Sequence, residues 1–112
     1  MIRLDAEAVD TLLVDAVTGR AHVHVVDGGH DRESAYDAFA ASLDLPEWFG
    51  RNLDALFDSL LEIADRHVGG WTLLWIPTPG SDAATDAGLL GVLEDVEQQA
   101  EGLTVAVADG LG

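Results

Sequence analysis

Asp54 and Asp58 lie four residues apart in a stretch whose apolar residues, Leu53, Leu56, Leu60 and Ile63, recur at helical spacing. Both carboxylates therefore face one side of the same helix. Phe57 sits at the margin of the apolar stripe, and the two acids come next round the helix. Like charges at this spacing cost about 0.2–0.5 kcal/mol. Asp54 regains part of that from the positive end of the helix dipole, and Asp58 is too far along to gain much. Acids kept at a small cost suit a site whose partner brings the positive charge; a solvated acidic face is the alternative. Just ahead lie two large aromatics, Trp48 and Phe49, then Gly50, which permits a turn that side chains would obstruct, and Asn52, a helix cap. The aromatics are either a contact surface or a hinge packed on the core.

Other chemistry is thinly represented. Cysteine is absent, which excludes a thiol nucleophile, a disulfide scaffold and Cys-based metal sites. Ser34, Ser42, Ser59 and Ser81 lack a nucleophile-elbow pattern, and the glycine-rich turns match neither a phosphate loop nor a dinucleotide fingerprint. His22 and His24 share one face of a strand, with His30 and Asp31 nearby; they read as a half-exposed edge or packed surface rather than a metal site. His67 stands alone and reads as solvated. A metal-dependent hydrolase using Asp54, Asp58 and the histidines lacks a suitable spacing. No catalytic residue, metal or cofactor is assigned, and the chain does not read as an enzyme.

Charge narrows the partners. Acids outnumber basic residues 21 to 5, lysine is absent, and the formal charge is −16 over 112 residues. Such a body repels nucleic-acid backbones and anionic membranes and attracts cationic proteins. The start, Met1 to Glu7, lacks the basic stretch and apolar run of a signal peptide, and no window approaches the ~20 apolar residues of a membrane span. A cytoplasmic protein is expected.

The elements that must position these residues alternate in kind. A helix is expected over 5–18, a strand over 21–26, helices over 31–43 and 53–65, and a strand over 71–76. Helical material starts at Ser81 or Asp82 and breaks near Gly88 or Gly91, Gly102 takes a left-handed C-terminal position, and a last strand covers 103–108. The order α-β-α-α-β-α-β predicts an α/β fold with a small three-stranded parallel sheet and connecting helices. The length suits one domain, 1–112, with 1–20 a helical extension at the N-terminus.

The segment Leu45-Pro46, Trp48-Phe49-Gly50, Asn52-Leu53-Asp54-Ala55-Leu56, Phe57, Asp58 resembles the barstar family of ribonuclease inhibitors. In that family a Leu-Pro, two aromatics, Gly, one variable residue, Asn-Leu-Asp-Ala-Leu, an aromatic and Asp keep one register. The likeness extends more loosely from about His22 to Ala108; residues 1–20 have no counterpart in the family's small founding member. It implies an intracellular inhibitor that plugs the active site of a small guanyl-preferring ribonuclease as a 1:1 complex and is a monomer when free. The binding surface implied is Trp48, Phe49, Gly50, Asn52, Asp54, Phe57 and Asp58, with Glu97 on the last helix. Asp58 matches the acid that replaces a substrate phosphate, Asp54 an acid paired with an arginine of the enzyme, and Trp48 a tyrosine packed on its catalytic histidine. This chain has Trp48 for that tyrosine, Phe57 for a tryptophan, and Arg51 where the founding member has an acid. The competing reading keeps the fold as an adaptor for a basic protein that is not a nuclease.

Overall fold

The structure, a computed structural model, describes residues 1–108; residues 109–112, counted above within the same domain, lie outside the described residues. The elements are β1 (Ile2–Leu4), α1 (Ala6–Val17), β2 (Val23–Asp27), α2 (Arg32–Leu43), α3 (Leu53–Arg66), β3 (Trp71–Ile76), a single 3-10 turn (Ala83–Thr85), α4 (Ala87–Gln99) and β4 (Leu103–Ala108). The sheet is parallel throughout, in the order β1-β4-β3-β2.

It has four strands, where the sequence pattern predicts three. The added strand is β1, whose Ile2, Arg3 and Leu4 pair with Ala106, Val107 and Ala108 of β4. Three residues carry no alternation long enough to announce a strand, and their partners lie at the far end of the chain. The element order therefore begins with a strand. Asp5, expected inside the first helix, is its N-cap, accepting from Ala8 N at 2.8 Å.

Apolar residues fill both faces of the sheet. On one, β3 and β4 present Trp71, Leu73, Trp75, Leu103, Val105 and Val107 to α2, α3 and α4, which supply Phe39, Leu56, Leu60, Leu89, Leu93 and Val96. On the other, α1 lays Val9, Leu12 and Leu13 over Leu74, Ala106 and Ala108. Residues 1–20 thus cover a sheet face that the remaining helices leave open. The two middle strands are buried on both sides and read as apolar runs, as a covered parallel sheet requires.

Each helix begins on a side-chain cap. Asp31 accepts from Ser34 N at 2.8 Å, and Ser34 Oγ completes a capping box. Helix α4 starts later than expected, at Ala87, because Asp86 caps it, accepting from Leu89 N at 3.0 Å. Gly88 and Gly91, the two expected break points, both lie inside it. A Cβ at Gly88 would lie 2.7 Å from Leu53 Cδ1 and 2.8 Å from an Arg32 nitrogen, so a larger residue would displace the ends of those two side chains. Gly102 takes its expected left-handed position, φ +79°.

Asp86 also receives Arg32 from α2 in a forked pair, Nε to Oδ2 at 3.0 Å and a terminal nitrogen to Oδ1 at 2.9 Å. The guanidinium holds the Asp86 carboxyl below its usual value, partial burial pulls it upward, and the Leu89 N–H adds to the lowering. A depressed carboxyl contributes stability above its unfolded value of 3.8 and loses it as pH falls through the lower folded value. Asp86→Asn keeps a competent cap and loses the charge. Urea unfolding at neutral pH should show it less stable by up to about 1 kcal/mol. The gap to the parent should narrow as pH falls below 3.8 and close beneath the lower folded value; a gap independent of pH would contradict the ion pair.

Candidate functional site

The loop between α2 and α3 is fixed at several points before α3 starts. Helix α2 stops at Asp44, whose backbone is left-handed, φ 53°, and Leu45 N bonds back to Ala40 O at 3.0 Å. Pro46 to Phe49 form a turn closed by Phe49 N to Pro46 O at 2.9 Å. The Phe49 ring then enters the core, 8% exposed, edge-on to Tyr36 at 6.2 Å. Asn52 joins loop and helix: its Oδ1 accepts from Ala55 N at 2.8 Å and its Nδ2 donates to Gly50 O at 3.0 Å.

This geometry divides the expected contact residues. Trp48 is 81% exposed, and Asp54 and Asp58 are exposed on successive turns of α3. Trp48, Gly50 and Asp58 line one groove of about 450 Å³ between the loop and α3, with Phe49 and Pro46 in its wall. Asp54 stands outside it, one turn toward the helix start.

The other expected contact residues hold the fold. Phe49 is mostly buried in the core of the free chain and reaches the groove only at its wall. Asn52 caps, and Phe57 is half-buried against the main core. Gly50 is needed for space rather than for an unusual turn: a Cβ there would lie 3.1 Å from Asn52 Nδ2 and 3.3 Å from Ala55 Cβ. The left-handed residue next to it is Arg51, φ 46°. Glu97 is also engaged inside the fold. Its Oε2 accepts from Val105 N at 2.6 Å and its Oε1 pairs with the amino group of Met1. Both of its carboxylate oxygens thus have partners within the fold, unlike those of Asp54 and Asp58.

Sequence reasoning missed Ser59 and Glu62, which also line the groove. The missed signal is the spacing already used, since Glu62 follows Asp58 by the same four residues. Glu62 pairs with Arg66 one turn on, and Arg51 pairs with Asp37 of α2. Together with Arg32–Asp86, three of the five arginines are neutralised by acids other than Asp54 and Asp58. Among the described residues no side chain hydrogen-bonds or ion-pairs with Asp54 or Asp58.

The histidines are also placed differently from expectation. His67 is not isolated: its ring lies 4.9 Å from that of His22 and 4.8 Å from that of His24, and it stacks on Trp71 at 4.3 Å. His30 lies apart, bonded to Ser34 Oγ. Among the described residues no helix is long and apolar enough to cross a membrane.

Residues 21–108 match the family model described as Barstar (barnase inhibitor), and the chain belongs to the barstar family. That is an inhibitor family rather than a catalytic one. No curated protein sequence matches the chain.

The adjacent aromatics make a test of the loop. Phe49→Ala should cost about 3 kcal/mol or more in urea unfolding, as for other buried phenylalanines. Trp48→Ala should change stability by no more than about 0.5 kcal/mol. Equal losses would show that Trp48 is a packing residue.

Proposed function

We propose that this protein blocks the active site of a small, basic, guanyl-preferring ribonuclease or ribonuclease toxin, forming a 1:1 complex that protects the producing cell from within its cytoplasm. The observation that carries this reading is the exposed pair Asp54 and Asp58, one helical turn apart and without a cation of their own, beside the outward-facing Trp48.

A ribonuclease cleft must be basic to hold a polyanion. Carboxylates on a rigid helix can take the places of phosphates there, and without a scissile bond they remain bound. Asp58, at the groove, occupies the phosphate position; Asp54 meets a second cation nearer the helix start. Trp48 supplies a broad apolar face that stacks on a ring of the enzyme. The remaining acids raise the encounter rate through the long-range field. Glu97 would join the contact only by exchanging partners it already has within the fold.

The test is titration of a barnase-type ribonuclease with the intact protein, followed by activity and by binding kinetics. Inhibition should saturate at one chain per enzyme. Asp58→Ala should weaken the complex at least a hundredfold, about 2.7 kcal/mol, mainly through faster dissociation. Glu47→Ala and Asp65→Ala should change affinity less than about threefold, and mainly through association at low salt. Losses of equal size at all three positions would sink the proposed surface. An intact protein that binds no ribonuclease would favour the adaptor reading.

A further inference from the structure

We propose that His22, His24 and His67 form a binding site for a divalent transition-metal ion of the zinc type. The site lies at the opposite end of α3 from the acidic pair and is independent of ribonuclease inhibition.

The three imidazoles meet because of the sheet register. Val23 pairs with Thr72, and Thr72 N bonds His22 O at 2.8 Å, so the start of β2 lies beside the start of β3. His22 and His24 are two residues apart and project to the same sheet face as Trp71 and Leu73. His67 follows the last residue of α3, and its ring folds back to stack on Trp71, with 12° between the planes. His24 meets the same indole edge-on at 5.1 Å. Trp71 is thus a wall against which two of the three rings are set.

Each histidine offers one nitrogen such that all three lie within 4.8 Å of one another. Tetrahedral ligands at about 2.0–2.1 Å from zinc are about 3.4 Å apart, so the nitrogens would draw together on binding the ion. His22 is exposed, which leaves a fourth position open to water. Three nitrogen donors select zinc, nickel, cobalt or copper over magnesium and calcium, which take oxygen.

A separate observation points to a ligand. His24 Nε2 is buried and has no hydrogen-bond partner. Buried polar atoms are nearly always satisfied, and a metal ion would engage this one. The last carbonyls of α3 make this the negative end of the helix dipole, which favours a cation.

The site joins the edge strand β2 to the end of α3 and the start of β3. A bound ion therefore raises stability by binding the folded chain alone. The test uses the untagged full-length chain, stripped with chelator and dialysed against Zn²⁺, with Co²⁺ as a spectroscopic probe and Mg²⁺ as a control for the acidic surface. One Zn²⁺ should be retained per chain, Tm should rise with Zn²⁺ and not with Mg²⁺, and Co²⁺ should give the visible bands of a four- or five-coordinate ion. His22→Ala, at an exposed position, and His67→Gln should each weaken Zn²⁺ about a hundredfold or more while the apo chains remain folded by circular dichroism. Ribonuclease inhibition should be the same with and without Zn²⁺. Failure to retain Zn²⁺ or Co²⁺ above the Mg²⁺ level, or equal retention by both variants, would overturn the site without touching the inhibitory reading.

Discussion

Phe49 and Trp48 are neighbours with opposite fates, and the inward one controls the outward one. The turn closed at Phe49 N sets the Phe49 ring against Tyr36, and the next side chain back along the chain is left facing solvent. Asn52 then ties the end of the loop to α3 through Gly50 O and Ala55 N. A mobile loop would lose conformational freedom on meeting a partner, and that loss would subtract from affinity. Here the ordering is completed during folding, through a buried ring and a cap whose bonds form whether or not a partner is present.

Electrostatics works on the same frame. An opposite charge about 4 Å away is worth about 1 kcal/mol in bulk water and about 4 kcal/mol near a protein surface. Asp54 and Asp58 are solvated in the free chain, so their mutual repulsion is small. Their attraction to a cation grows only when a docked surface excludes water. Arg51 would otherwise compete for that role from within the loop, but Asp37 of α2 holds it, and Glu62 holds Arg66. Three of the chain's five arginines are thus occupied by other acids.

The parts of this arrangement legible in the sequence are those set by neighbours in the chain. Helix α3 follows from its apolar stripe and from Asn52; β3 and β4 follow from apolar runs between turns. What was hidden depends on distant pairing. Strand β1 is a strand because β4 offers it an edge, and the pairing of Ile2 with Ala106 has no local trace. Glu97 resembles a surface acid by position in the helix, yet its carboxylate meets Val105 N across the turn into β4. Gly88 resembles a helix breaker until Leu53 and Arg32 are seen against it. His67 is 43 residues from His24 in sequence and becomes its neighbour only through the register of β2 on β3.

Helix α3 links these observations, because both of its ends are held by different means. Its start is fixed by Asn52 and the loop; its end is fixed by His67, whose N–H bonds Ala64 O at 3.1 Å and whose ring lies on Trp71. Between them Leu56, Leu60 and Ala64 are buried against the sheet and α4. Fourteen residues make a rod about 21 Å long, so a change at the His67 end is separated from Asp54 by most of the helix. A packed helix does not transmit a small displacement along its length unless it has a second arrangement to adopt. The buried stripe and both tethers favour one arrangement. The histidine end is therefore free to affect stability while the acidic end keeps its geometry.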